Sequence, residues 1–266
     1  MEENSSNTAL SIVAQALKLP GVKVNRDAFL LETFKVNNEA SLLLLEKGPI
    51  ASGLISQQEV KNQAKKLCSK RMLTSSAASF AAGVPGGFAM AATIPADTLQ
   101  FLGFNLRIAQ EIAYLYGYKD FWNDDELDLE AVQTELMLFM ATMLGVSGAA
   151  SATRYISLAV ARNIATRLPN QALTKTVWYP IMKTLASYIG IKLTKDTAAK
   201  SIAKVVPVLG GIASGTITYV TMNKMTTRLY EAFDTAVKYT PKEQHEDLEA
   251  IKREMPEVYD AIFKEI

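Results

Sequence analysis

Along this chain apolar residues recur at three- and four-residue steps far more often than they alternate, the signature of amphipathic helices rather than strands. Leu30, Leu31 and Phe34, continued by Leu42 to Leu45, give one apolar face to an early helix that opens near Asn25 and Asp27 and stops at Gly48-Pro49. From Gln57 to Arg71 the chain is polar and lysine-rich, with Val60, Ala64 and Leu67 on one face. Thr98 to Tyr116 carries Leu99, Leu102, Leu106, Ala109 and Ala113 on another, with Asp97 as the expected N-cap just after Pro95 and Gly117 as the stop. A short acidic loop follows, and the next helix is expected from near Leu127. Arg154 to Arg167 predicts a basic amphipathic helix closed by Leu168-Pro169, and the tail from Pro241 to Ile266 predicts charged helix limited by Pro256. The expectation is an all-α protein: a single compact multi-helix bundle with Gly/Ala-rich central helices. It divides into a helical extension over 1–59, a core over 60–235 and an acidic helical tail over 236–266 packed on that core.

Three stretches interrupt the amphipathic pattern because they hold no charge at all. They run from Met72 to Ala96, from Leu136 to Thr153 and from Val205 to Asn223. The first and third are about as long as a membrane-crossing helix, which needs about 20 apolar residues. Their composition argues against a simple span. Ala, Gly, Ser and Thr dominate, and Pro85-Gly86-Gly87 splits the first run into pieces of core-helix length. Each run holds small residues four apart: Gly83 and Gly87, Gly145 and Ala149, Gly211 and Gly215. That spacing lets two helix backbones approach closely, in lipid or in water. A packed core, a re-entrant or conditionally inserted hairpin and a constitutive span all remain open at this level.

Charge changes the picture by its distribution. The total is +1 over 266 residues, yet residues 72–135 carry a net −7 and residues 136–230 a net +10, with Asp196 the one acid in the latter block. Such a block meets anionic lipid, nucleic acid or the chain's own acidic segments. Arg154, Arg162, Arg167, Lys175 and Lys183, with Trp178 and Tyr179 among them, are candidates for a membrane-surface contact, since each adjacent cation adds about 1 kcal/mol against anionic lipid and indole rings favour the interface. No zinc-finger spacing or RNP-like motif supports nucleic acid. Apolar residues make up 49% of the chain and the mean hydropathy is +0.08, enough for a sizeable core and well below a polytopic transporter. Cys68 is the single cysteine, so there is no disulfide framework, and the start MEENSSNTAL has no basic segment of the secretory kind.

Chemistry is thinly signalled. The single histidine, His245, sits in the charged segment KEQHEDLEA and reads as a surface residue. No G-x-S-x-G elbow, Walker loop, H-E-x-x-H or C-x-x-C is present. Lysines around Cys68 would lower its pKa if exposed, but without a histidine nearby it reads as a bystander thiol. No cofactor, metal or catalytic residue is expected. Arg107 is the one cation between Met72 and Tyr118; if buried it needs a carboxylate, with Asp97 or Glu111 as candidates.

Two segments carry a resemblance. IPADTLQFLGFNLRIAQEIAYLYGYKD supplies Pro95, Asp97, Arg107, Tyr116, Gly117 and Tyr118; VVPVLGGIASGTITYVTMNKMTTRLYEAF supplies Pro207, Gly210, Gly211 and Gly215. In this order they resemble the EcsC protein family, over roughly residues 60–235. The resemblance implies a helical, bacterial protein, membrane-associated or cytosolic, with no catalytic residue to carry over. Combined with the residue patterns, the expectation is a non-enzymatic, membrane-peripheral helical protein at the inner face of the cell membrane, contacting anionic lipid or a membrane protein, with a conditional membrane-inserting effector or a regulator as variants. The alternatives are a soluble module holding a lipid or other apolar ligand between the small-residue helices, and an unrecognised enzyme using Arg107, Asp97 and Tyr116.

Overall fold

A computed structural model describes residues 13–74, 96–123, 126–128, 132–161 and 215–263. Helix α1 occupies residues 13–17, and Val13, Ala16 and Leu17 bury into the core. Helix α2, Arg26–Phe34, is N-capped by the Asn25 side chain, which accepts from the Ala28 amide. The single early helix expected from the leucine pattern is two. Lys35 turns left-handed at a φ of 50°, and Asn37 caps a fresh helix, α3, Asn38–Lys47, by accepting from the Ala40 amide. A second good cap so soon after the first competes with continuing one helix.

Helix α4 is Gln57–Thr74 and helix α5 is Ala96–Leu115. Because α5 begins at Ala96, Asp97 lies in its first turn rather than at the cap. A two-residue antiparallel pair, β1 at Trp122–Asn123 with β2 at Glu126–Leu127, precedes a π-helical turn at Val132–Leu136, and residues 129–131, next to the helix start expected near Leu127, lie outside the described residues. That turn runs into α6, Met137–Leu144. Then come α7, Ala149–Ala161; α8, Gly215–Val237; α9, Pro241–Glu254; and α10, Pro256–Phe263. The start of α9 carries a full capping box, Thr240 with Glu243, and Pro241 in its first turn.

The architecture is an all-α bundle around α8, which packs on α7, α4, α6 and α5, while α9 covers α7. Two pairs of contacts set the directions. Asp234, late in α8, meets Gln57 and Lys61 at the start of α4, while Thr226 lies beside Cys68 further along α4. Helices α4 and α8 are therefore antiparallel. On α5, Glu111 acts on the Cys68 thiol at the level of Thr226, and the Tyr116 ring packs on Phe233 at 5.5 Å. Helix α5 therefore runs parallel to α8. The end of α4 and the starts of α5 and α8 lie at the same end of the bundle.

One hydrophobic cluster runs from Val13 to Val258 and takes in Val13, Ala16, Leu17, Val22 and Val24. Burying a side chain such as Phe139 or Leu106 stabilises the fold by about 1.5–3 kcal/mol. The second uncharged run is resolved by this packing. All eight residues of α6 are buried, and the helix stops at Gly145 after two turns. Among the described residues no helix is long and apolar enough to cross a membrane.

Candidate functional site

The motif residues from Arg107 to Tyr118 converge on one region where α4, α5 and α8 meet. Its hub is Glu111, whose side chain is fully buried. Arg107 reaches it one turn along α5, Nε to Oε1 at 3.1 Å, and Arg71 of α4 reaches it bidentately, with Nε to Oε2 at 2.9 Å. Arg107 also donates to the Gly21 carbonyl. The geometry explains the burial: a carboxylate can sit dry when guanidinium forks satisfy its oxygens. Glu111 is thus the partner of Arg107; the Asp97 side chain lies outside the described residues. Arg71 is the member that sequence reasoning missed, because nothing in a lysine-rich helix marks which cation turns inward to a residue 40 positions away.

Beyond Glu111, α5 ends in a turn held from both sides. Gly117 has a φ of 94°, and Gly48, at 82°, approaches it so closely that a Cβ on Gly48 would lie 2.9 Å from the Gly117 Cα. Both glycines are helix stops in the sequence; their mutual contact is visible only in the fold. Buried Arg26 donates from Nε to the Tyr118 carbonyl at 2.8 Å and from Nη1 to the Leu45 carbonyl at 3.0 Å, which ties α2 and α3 to this turn. Tyr118 points inward, its hydroxyl 2.7 Å from Ser157 Oγ and its ring packed on Phe139 and Phe233. Burial pushes its phenol well above the ordinary range.

Tyr116 is also buried, and its hydroxyl has no hydrogen-bond partner among the described residues. Burial first, and the nearby Asp234 carboxylate second, push it upward. Asp234 itself takes Lys61 Nζ at 2.5 Å and Gln57 Nε2 at 3.0 Å. The same residues line a polar surface cleft with Gln58, Thr235, Lys238 and Glu243. Burial thus favours the neutral phenol at both Tyr116 and Tyr118.

Other candidates fall elsewhere. Gly145 does not bring two helix backbones together. It ends α6 in the left-handed conformation, φ 74°, and a Cβ there would meet the Arg228 guanidinium at 3.0 Å. Arg228 donates to the Met143 carbonyl at 3.0 Å, a cation on the exposed end of a helix dipole. Close approach to the neighbouring segment is served instead by Gly103 of α5, where a Cβ would lie 2.9 Å from Val22. Gly215 is the first residue of α8. Arg154, a candidate for surface contact, turns to the buried Asp247 of α9, with Nε to Oδ2 at 2.6 Å, and bonds Ser151 at 3.1 Å. Tyr239 donates to the same carboxylate. Pro95, Gly83, Gly87, Gly211, Arg162, Arg167, Lys175, Lys183 and Trp178 lie outside the described residues.

Two further reactive side chains, Cys68 and His245, lie among the described residues. Cys68 is buried, and burial pushes its thiol up to about 12, so the lysines around it do not activate it. His245 is exposed on α9. Among the described residues no group of three or more His, Cys, Asp or Glu side chains is placed to hold a metal ion. Of the ionic contacts at the motif, Arg71–Glu111 ties α4 to α5 and Arg107–Glu111 lies within α5. Comparison of the chain with known protein families, with curated proteins and with solved structures finds no match in any of the three.

Proposed function

We propose that this chain is a non-enzymatic, membrane-peripheral helical protein of the EcsC type, whose described helices form a rigid platform for its uncharged runs. The observation that carries this reading is the shared end of the bundle. The run from Met72 to Ala96 leaves the end of α4 and returns at the start of α5, and the run from Val205 to Asn223 leads into the start of α8. Both attach on one side of the core, whereas the second run, Leu136 to Thr153, supplies the buried α6. Two weakly apolar segments tethered at one end suit contact with a lipid surface, which takes apolar side chains and attracts cations. The Arg71–Glu111–Arg107 cluster and the Gly48–Gly117 contact support the resemblance of the Arg107–Tyr118 segment to the family as a packing motif. No partner protein is implied by these contacts; the surface of an anionic bilayer is the partner proposed.

Flotation of the purified full chain with neutral and anionic vesicles, at low and high salt, tests this. Binding to anionic vesicles is expected. Loss of that binding in high salt identifies a peripheral electrostatic contact, and survival in high salt identifies insertion of the uncharged runs. Absence of binding to either vesicle overturns the proposal.

A further inference from the structure

The α4–α8 pair is charge-segregated along its length. On α4, after Glu59, every charged residue is a cation: Lys61, Lys65, Lys66, Lys70 and Arg71. On α8, the charges before Glu231 are Lys224 and Arg228. Because the helices are antiparallel, the acid-free part of each lies toward the same end, the one at which the two uncharged runs attach. The acids lie toward the other end, where Asp234 is paired with Lys61.

Three of these cations make no ion pair with the described residues. Arg71 is spent on Glu111 and Arg228 on the end of α6. Lys65, Lys66 and Lys224 are exposed. Lys65 and Lys66 share a face of α4 with exposed Ser69, and Lys224 lies one turn from Val220, an apolar side chain left 46% exposed. Of the described carboxylates near this end, Glu111 is enclosed between its two arginines and is not available to neutralise the lysines.

Resting on the membrane-peripheral reading, we infer that this lysine end of the α4–α8 pair is the surface that docks on an anionic lipid bilayer, with Lys65, Lys66 and Lys224 on lipid phosphates and Val220 toward the interface. Charge complementarity and the attachment of both uncharged runs at this end argue for a bilayer rather than a soluble partner. The docking surface therefore differs from the 154–183 segment that the sequence alone suggests, one of whose cations, Arg154, is already committed to Asp247.

The test is flotation of full-length Lys65→Gln/Lys66→Gln/Lys224→Gln protein with vesicles of phosphatidylcholine containing phosphatidylglycerol. A Lys242→Gln/Lys252→Gln variant on α9 serves as the control, and thermal melting checks that both fold. Three neutralised contacts are expected to weaken binding by about 100-fold, and the control by less than about twofold. The slope of binding against salt is expected to fall in the first variant alone. If wild type binds and the triple variant binds equally well, this inference is overturned while the membrane-peripheral reading stands. If wild type binds no vesicle, both fall. Tighter binding of wild type to duplex DNA than to the vesicles, lost in the triple variant, overturns the choice of partner.

Discussion

Glu111 and Asp247 are both buried carboxylates that join helices, yet they are satisfied in different ways. Glu111 takes two arginines, one from its own helix and one from α4, and accepts nothing else among the described residues. Asp247 takes one arginine, Arg154, plus the Tyr239 hydroxyl. The first cluster has one cation in excess of its acid; the second balances charge for charge. The difference teaches where each fold element depends on ionisation. Around Glu111, the acid is what permits two guanidinium groups to sit three-quarters buried. Around Asp247, neutral donors share the task, and a neutral replacement has more to hold it.

The comparison predicts its own largest effect. Glu111→Gln keeps the shape but turns an amide donor toward two guanidinium forks that are donors themselves. The expected loss is about 2–3 kcal/mol in urea unfolding, reduced from the full cost of breaking a buried pair because both arginines retain some water. Adding Arg71→Met to that variant is expected to recover part of the loss, since one unpaired cation is removed. A Glu111→Gln protein as stable as wild type would show that the arginines hold their places without it.

How much of this was legible in the sequence depends on whether a contact is local. The i,i+4 spacing of Arg107 and Glu111 marks their pairing, and apolar periodicity marks α4 and α5 to within a few residues. Arg71 carries no such mark, because its reach to Glu111 depends on how α4 crosses α5. Asp247 was hidden for a different reason. In KEQHEDLEA it stands among four charged neighbours that are mostly exposed, and only the docking of α9 on α7 turns this one acid inward. Gly145 was misread because small residues four apart are shared by close-packed helices and by helix ends, and a left-handed φ does not show in spacing. The break at Lys35 was missed because leucines on both sides keep the same rhythm.

The smaller carboxylate effect is pH-dependent, and its sign follows from the site. Burial pushes the Asp247 carboxyl up, but hydrogen bonds from Arg154, Tyr239 and Ser151 outweigh it and hold the group below the ordinary range. A carboxyl lower in the folded state than its unfolded value of about 3.9 adds stability that is fully present above that pH. The contribution is lost as pH falls through the folded value. Asp247→Asn is therefore expected to cost about 1–2 kcal/mol at neutral pH, less than Glu111→Gln. As pH falls through that folded value, its unfolding midpoint is expected to approach that of wild type. Parallel curves of stability against pH for the two proteins would remove Asp247 from the acid response.

Tyr239→Phe gives the finest division of the second site. It deletes one neutral donor to Asp247 and leaves Arg154 in place, so the charge balance survives and a single hydrogen bond is lost. The expected cost is about 1 kcal/mol at neutral pH. The direction in acid is the sharper reading. With one fewer donor to its ionised form, the Asp247 carboxyl rises toward its unfolded value. The acid-dependent part of the stability then shrinks but does not vanish, and the curve falls between those of wild type and Asp247→Asn. If Tyr239→Phe instead matched Asp247→Asn at every pH, the hydroxyl rather than the arginine would be holding the carboxylate, and the tail would dock through a neutral bond.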